Sequence, residues 1–306
     1  MKAFITGGSG FIGGYLAKQL LKIGTSVTIF DKRPLPSEST LDCVFIEGDL
    51  LNLEQISNAL SGGHDIVYHL AANADISAGV KDTALDLNLT TIATYNVLES
   101  MRRGSTKAIV FLSGSGVYGD LGATVATENM GPLLPVSLYG AGKLAAEGLI
   151  SAFSSMFGFR ATILRPANVV GGGQTHGVVF DFINKLKRDS NNLQILGDGK
   201  QTKSYLYVGD LYEAVSTVLQ SQKDPVSLLN IASDDTVDVN WIAQKVIEAM
   251  KLPNVCVTHT GGKVGWTGDV PMVQLSTEKL KKTGWRPKYT SKDAVDLAIA
   301  EILDRY

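Results

Sequence analysis

In the first half of the chain the apolar residues come in short, nearly unbroken runs: KAFIT (2–6), VTIF (27–30), CVFIEGDL (43–50), DIVYHL (65–70), AIVFLS (108–113) and ATILR (161–165). Between them apolar positions recur at helical spacing, which predicts helices near 11–23, 52–60, 84–103 and 137–157. Strands apolar on both faces and separated by helices predict a parallel sheet covered on each side, an α/β doubly wound fold. After Pro166 the pattern turns irregular. Short strands are expected in LQIL (193–196), SYLYV (204–208) and SLLNIA (227–232), with helices near 178–189, 210–220, 238–250, 276–282 and 291–304. The division expected is a first domain over 1–166, to which a segment near 204–232 returns, and a smaller mixed α/β region made of 167–203 and 233–306.

Composition narrows the class. A formal charge of −2 over 306 residues gives no basis for nucleic-acid or anionic-membrane binding. No apolar run approaches the roughly 18 residues of a membrane span. The start MKAFITGG already reads as a strand and a turn, leaving no room for a secretion signal. Cys43 and Cys256 form no metal or redox motif and are expected as two buried thiols of a cytoplasmic protein, with no metal site.

The candidate chemistry starts at TGGSGFIGG (6–14), between the first strand and the first helix. Gly8-x-Gly10-x-x-Gly13 and Gly7-x-x-Gly10-x-x-Gly13 both fit a loop that lets backbone approach a pyrophosphate, with the helix start at Phe11 and Ile12 offering N–H donors. Asp31 ends the second strand, 18 residues past Gly13, where a carboxylate accepts hydrogen bonds from an adenosine ribose. It would repel a 2′-phosphate, so NAD is expected, although Lys32 and Arg33 leave NADP open. Asp49 and Leu50 follow the third strand, in position to border the adenine.

Tyr139 and Lys143 stand four apart in LYGAGKLAAEG (138–148), on one face of a helix that follows the strand ending in FLSGSG. A free phenol, with a pKa of ~10, is a poor base at neutral pH. A neighbouring ammonium and a cationic nicotinamide would favour the phenolate, which could take a proton from a substrate hydroxyl.

The ordered set TGGSGFIG, Asp31, GDL, HLAA, NLTTIATYNVLE, VYG and YGAGK resembles the extended short-chain dehydrogenase/reductase family. LRPANVVG, LGDGKQTKSYLYVGDL and GWTGDVP are similar to its nucleotide-sugar branch, notably the UDP-glucose/UDP-galactose 4-epimerases. The resemblance implies a Rossmann-type NAD-binding domain, a nucleoside-diphosphate sugar (most readily a UDP-sugar) as substrate, and a homodimer through the helices near 84–103 and 137–157. It places Leu70, Ala71, Ala72 and Pro166 by the cofactor and makes Asn88 the support of Lys143 and an ordered water. It puts Asn168 at the sugar diphosphate, with Val178–Phe180 and Leu193–Ile195, Gln194 included, beside the base. Lys203, Lys263 and Asp269 fall in the diphosphate-binding segments, where lysine replaces one expected arginine and KVGWTGD lacks another.

The family's substrate-binding serine or threonine would fall at Gly114, so Ser113 or Ser115 is expected to substitute, Ser113 being preferred. The resemblance also separates the reactions. Dehydratases and decarboxylases carry carboxylates where this chain has Ser115 and Gly116, and no cysteine or histidine is present there for the GDP-fucose synthase chemistry. The expectation is epimerisation at C4. The alternatives are a reductase or dehydrogenase using NAD or NADP, or a cofactor-binding regulator.

Overall fold

The computed structural model describes residues 1–36 and 41–305. In chain order its first part runs β1 (Lys2–Thr6), α1 (Phe11–Lys22), β2 (Ser26–Asp31), β3 (Val44–Glu47), α2 (Leu53–Leu60), β4 (Ile66–His69), α3 (Ala93–Arg103), β5 (Ala108–Leu112), α4 (Leu138–Phe157) and β6 (Arg160–Pro166). There follow β7 (Asn168–Val170), α5 (Val178–Arg188), β8 (Asn192–Ile195), β9 (Thr202–Lys203), β10 (Tyr205–Tyr207), α6 (Val208–Ser221) and β11 (Val226–Ile231). The last part is β12 (Val237–Asp238), α7 (Val239–Ala249), β13 (Cys256–His259), β14 (Met272–Val273), α8 (Glu278–Lys281) and α9 (Ser291–Asp304). Two compact units result. The first comprises Met1–Gly114, Leu138–Arg165 and Val218–Leu229, the second Ser115–Ser137, Pro166–Thr217 and Asn230–Tyr306.

The main sheet has the order β3-β2-β1-β4-β5-β6-β11, and every neighbouring pair from β3 to β6 is parallel. The expected Rossmann-type fold is therefore present. The apolar runs of β1, β4, β5 and β6 are buried on both faces, as Ala3, Phe4 and Ile5 of β1 show, whereas the edge strand β3 is only partly covered. Phe4, Phe30, Phe111, Ile150 and Phe159 pack into one core with Val97, Leu98 and Met101 of α3. The chain leaves β1 for β2 on one side and later places β4 on the other. The carboxyl end of β1 is thus the switch point where such sheets bind ligands.

The second unit has its own core, in which Phe182, Ile183, Ile242, Val246, Val295 and Ile299 of α5, α7 and α9 meet Leu193 and Ile195 of β8. Its strands are fragments: β7 with β10, β8 with β13, and β9 between β12 and β14. β13 was not expected, because all four of its residues are exposed and leave no apolar alternation to read. Side-chain caps start α2, α7 and α9: Asn52 accepts from the N–H groups of Glu54 and Gln55, Asp238 from that of Trp241, and Thr290 forms a capping box with Asp293.

Two expectations are corrected. The helix foreseen near 84–103 is not regular: Leu87–Ile92 form a wide π turn before α3. Nor are the cysteines a buried pair, since both are free thiols, Cys43 half-buried and Cys256 exposed. No helix among the described residues is long and apolar enough to cross a membrane.

Asn230 ties the second unit together. Fully buried, it accepts from the Tyr118 hydroxyl (2.7 Å) and donates to the Ala126 and Ser276 carbonyls (3.1 and 3.2 Å). Asn230→Ala removes three hydrogen bonds from a fully buried site and is expected to cost about 2–4 kcal/mol of unfolding free energy in a denaturant titration. A loss below about 0.5 kcal/mol would show that the bonds contribute little.

Candidate active site

The glycine loop is built for close approach. A Cβ on Gly7 would lie 2.7 Å from the Ala71 nitrogen, one on Gly13 2.2 Å from the Gly7 oxygen, and one on Gly8 2.5 Å from Ile29 Cγ2. Gly7 also holds φ of 74°, in the left-handed region that favours glycine. Gly10 caps α1 without a side-chain hydrogen bond, and the helix begins at Phe11 and Ile12. Its first N–H groups are thereby left to an anion. Asp31 is buried at the end of β2, accepting from the N–H groups of Ser9 and Arg33 at 3.0 Å each. These bonds fix the carboxylate beside the loop, while Lys32 is exposed.

Ala71 N–H donates to Thr6 Oγ1 (3.3 Å), which joins the partly buried Leu70–Ala72 turn to β1. Leu50 is half-buried and its carbonyl accepts from Asn96, whereas Asp49 is exposed and caps its own turn through Leu51 N–H. A cradle that a Cβ would fill, an open helix start and a fixed carboxylate together fit a dinucleotide.

Lys143 is buried in α4, and its ammonium donates to the Leu112 carbonyl at the end of β5 (2.6 Å). Nζ lies 4.9 Å from the Phe111 ring centre and 5.7 Å from that of Tyr139, placing the two expected residues together. Burial pushes the ammonium down to about 8, partly opposed by the carboxylates of Glu147 and Asp86. Enclosure also pushes the Tyr139 phenol up to about 12, and Asp86 adds to the shift. Burial and Asp86 thus outweigh Lys143 at the phenol, which leaves the work to the second positive charge that the expectation also invoked.

Ser113 is buried, and its hydroxyl donates to Glu147 Oε1 at 2.5 Å. Glu147 also receives Arg165 through two bonds, Nε at 2.9 Å and Nη2 at 2.6 Å. The preference for Ser113 as substrate donor is corrected here, because its proton is committed to a carboxylate. Ser115 opens the short turn Ser115–Tyr118 and is half-exposed. Gly114 stands against the phenol: a Cβ there would make ordinary contact with Tyr139 Oη at 3.5 Å.

The bond described for the Lys143 ammonium goes to the Leu112 carbonyl and not to Asn88. Asn88 is exposed on the π turn, while Asp86 and Thr90, two positions to either side, are buried. Asp86, Glu147 and Arg165 were all missed by sequence reading. The available signal was polar residues at helical spacing, Asp86-Thr90-Thr94 and Lys143-Glu147.

In the second unit Pro166 is buried at the end of β6 and Asn168 is exposed at the start of β7. Lys203 and Asp269 pair with each other, Nζ to Oδ1 at 2.6 Å. Asp269 Oδ2 accepts from Gly265 N–H (3.0 Å), and Lys203 Nζ stands 5.3 Å from the Trp266 ring centre. Lys263 is exposed. Val179 is wholly buried in the unit's core and offers no surface to a base, a further correction, whereas Val178 is half-buried and Gln194 exposed. No metal cluster is found among the described residues.

This fold and the Tyr139–Lys143 pair define the class: an extended short-chain dehydrogenase/reductase. The profile of the NAD dependent epimerase/dehydratase family matches residues 3–232, and the chain belongs to that family. It is 28% identical to the UDP-glucose 4-epimerase of Corynebacterium glutamicum, over 95% of this chain and 92% of that one. A crystal structure of a UDP-galactose 4-epimerase superposes with a TM-score of 0.89 at 35% identity, over 100% of this chain and 99% of the other. The Thermus thermophilus UDP-glucose 4-epimerase in complex with NAD gives 0.90 at 28% identity, over 100% of both chains. A decarboxylase, a dehydratase and GDP-mannose 3,5-epimerases also match at 27–29% identity.

His69, beneath the site, is wholly buried between Thr6 Oγ1 (2.7 Å) and Thr94 Oγ1 (3.0 Å). Burial, then the charge of Lys143, pushes its imidazole from 6.5 down to about 3. Below pH 6.5 the unfolded chain takes up a proton that the folded protein refuses, so stability falls as pH drops, by up to about 1.4 kcal/mol per unit. His69→Gln should flatten the dependence of unfolding free energy on pH between 6 and 4. An unchanged slope would contradict the assignment.

Proposed function

We propose that this chain is an NAD-dependent epimerase that inverts C4 of a nucleoside-diphosphate sugar, with UDP-glucose and UDP-galactose as the reference pair. One observation carries the reading: Tyr139 and Lys143 meet at the end of β5 beside Gly114, and the next two residues, Ser115 and Gly116, bring no carboxylate. Elimination or decarboxylation would need an added acid or base at that position. The glycine loop and Asp31 hold the dinucleotide, which when bound supplies the hydride acceptor and donor. Tyr139 Oη takes the proton of the sugar hydroxyl and returns it, and the Lys143 ammonium stabilises the phenolate. Ser115 supplies the hydroxyl that binds the sugar oxygen, since that of Ser113 is held by Glu147. Lys203, steadied by Asp269, offers one cation to the diphosphate, without the two-pronged grip of an arginine.

A homodimer belongs to the same proposal. Ile92, Tyr95, Met156 and Phe157 expose apolar surface along the π turn, α3 and α4, and analytical ultracentrifugation should show two chains per particle.

Purified protein without added cofactor should interconvert UDP-glucose and UDP-galactose, or an analogous C4 pair, and release NAD on denaturation. If a panel of UDP-, dTDP-, GDP- and CDP-sugars shows no C4 inversion, the proposal fails, and net consumption of NADH would make the protein a reductase. Tyr139→Phe should lower kcat by about 10²–10⁴ while NAD stays bound. Ser115→Ala should cost roughly 10²–10³ in kcat, and adding Gly114→Ser to that variant should recover most of it. Full activity of Ser115→Ala would remove Ser115 from the account.

A further inference from the structure

Asp86 precedes the π turn and is completely buried. One carboxylate oxygen accepts from the Asn73 amide at 3.1 Å. The other, Oδ2, has no hydrogen-bond partner among the described residues, and the same holds for the buried hydroxyl of Thr90. The packing around them is tight. A Cβ on Gly79 would lie 2.9 Å from Asp86 Oδ2 and 3.7 Å from Cβ of Leu138, and one on Gly142 would meet the Asp86 carbonyl oxygen at 3.0 Å and Thr90 Cβ at 3.5 Å. Gly79 thus makes room for this carboxylate close to Leu138 at the start of α4, and Gly142 lets the backbone of Asp86 lie against the same helix, which carries Tyr139 and Lys143. An extra residue in the π turn is a device for re-aiming side chains at such a place.

An unpaired carboxylate oxygen is costly to bury without compensating charge. The groups facing it can be named. The Asn73 amide, from the loop after β4, bonds the Asp86 carboxylate, the charge of Lys143 on α4 acts on it, its own charge acts on the Tyr139 phenol, and His69, which also feels the charge of Lys143, is a neutral ring. Glu147 also acts on Lys143, and more strongly, but its charge is already met by the two bonds from Arg165. An ammonium has three donors, and the Leu112 carbonyl takes one of those of Lys143. Asp86 is the facing carboxylate that no arginine or lysine contacts among the bonds described.

We propose that Asp86 is a positioning residue, the counter-charge that keeps Lys143 an ammonium. The proposal deepens the catalytic reading of Tyr139 and Lys143 and rests on it for its importance, but not for its test. Asp86 also has a cost, because its negative charge adds to the burial that holds the phenol protonated. The site accepts that opposition in exchange for a lysine that remains cationic although buried.

The experiment is an NMR titration of the protein carrying 13C-labelled lysine, with Lys143→Met used to assign the Lys143 signal. Asp86→Asn should lower the Lys143 titration midpoint by about one pH unit, a tenfold weaker hold on the proton, relative to the unsubstituted protein. Asp86→Glu, which retains the charge, should leave the midpoint nearly in place. Should Asp86→Asn fail to fold, Asp86→Ser serves the same comparison. An unchanged midpoint in Asp86→Asn or Asp86→Ser, or an equal shift in Asp86→Glu, would overturn the proposal. The readout requires no turnover, so it decides the role of Asp86 even if every sugar nucleotide proves inert.

Discussion

A buried ammonium needs a fixed acceptor, and that requirement organises the catalytic half of this molecule. Lys143 reaches the Leu112 carbonyl only because α4 runs close to the end of β5. On another side of the same helix, Gly142 allows close approach to the π turn, where any Cβ would crowd Asp86 and Thr90. The approach to β5 is secured from below by Glu147, which gathers Ser113 from the end of β5 and Arg165 from β6 around one carboxylate. Pairs buried in this way add little net stability relative to an apolar core, but they fix geometry, since breaking one leaves a charge without compensation. The end of β5, the start of α4 and the end of β6 are thereby held in register around the phenol.

The glycine loop answers a different constraint. Gly7, Gly8 and Gly13 each face an atom that a methyl group would strike, so the loop lies as close to β2 and to the turn after β4 as backbone allows. That closeness leaves the start of α1 uncovered and sets Asp31 beside it. In the second unit the same economy of charge appears in another form. Lys203 spends its ammonium on Asp269 close to the Trp266 ring.

Much of this was legible in the residues. The runs that became β1, β2, β4, β5 and β6 are apolar on both faces, and such a pattern has few other outcomes. The glycine spacing with Asp31, and Tyr139 with Lys143, were legible because their chemistry demands fixed separations along one element. What could not be read depends on contacts distant in sequence or on local irregularity. Ser113 looked like a free hydroxyl because nothing nearby announces that Glu147, a turn beyond Lys143, will claim it. Asn88 fitted a regular helix, and the π turn moved it to the surface while burying Asp86 and Thr90. Val179 fitted a pocket wall, and the packing of α5 drew it into the core. β13 carries no apolar pattern at all.

The central claim is that Tyr139, supported by Lys143, moves a proton at a sugar hydroxyl so that C4 inverts with no other bond changed. Its most direct measurement uses UDP-galactose deuterated at C4, incubated with the purified protein and no added cofactor, with the product examined by NMR. The account predicts UDP-glucose that retains the deuterium at C4 in full. Product that has exchanged it for solvent hydrogen, or an unaltered sugar across the nucleotide panel, would contradict it.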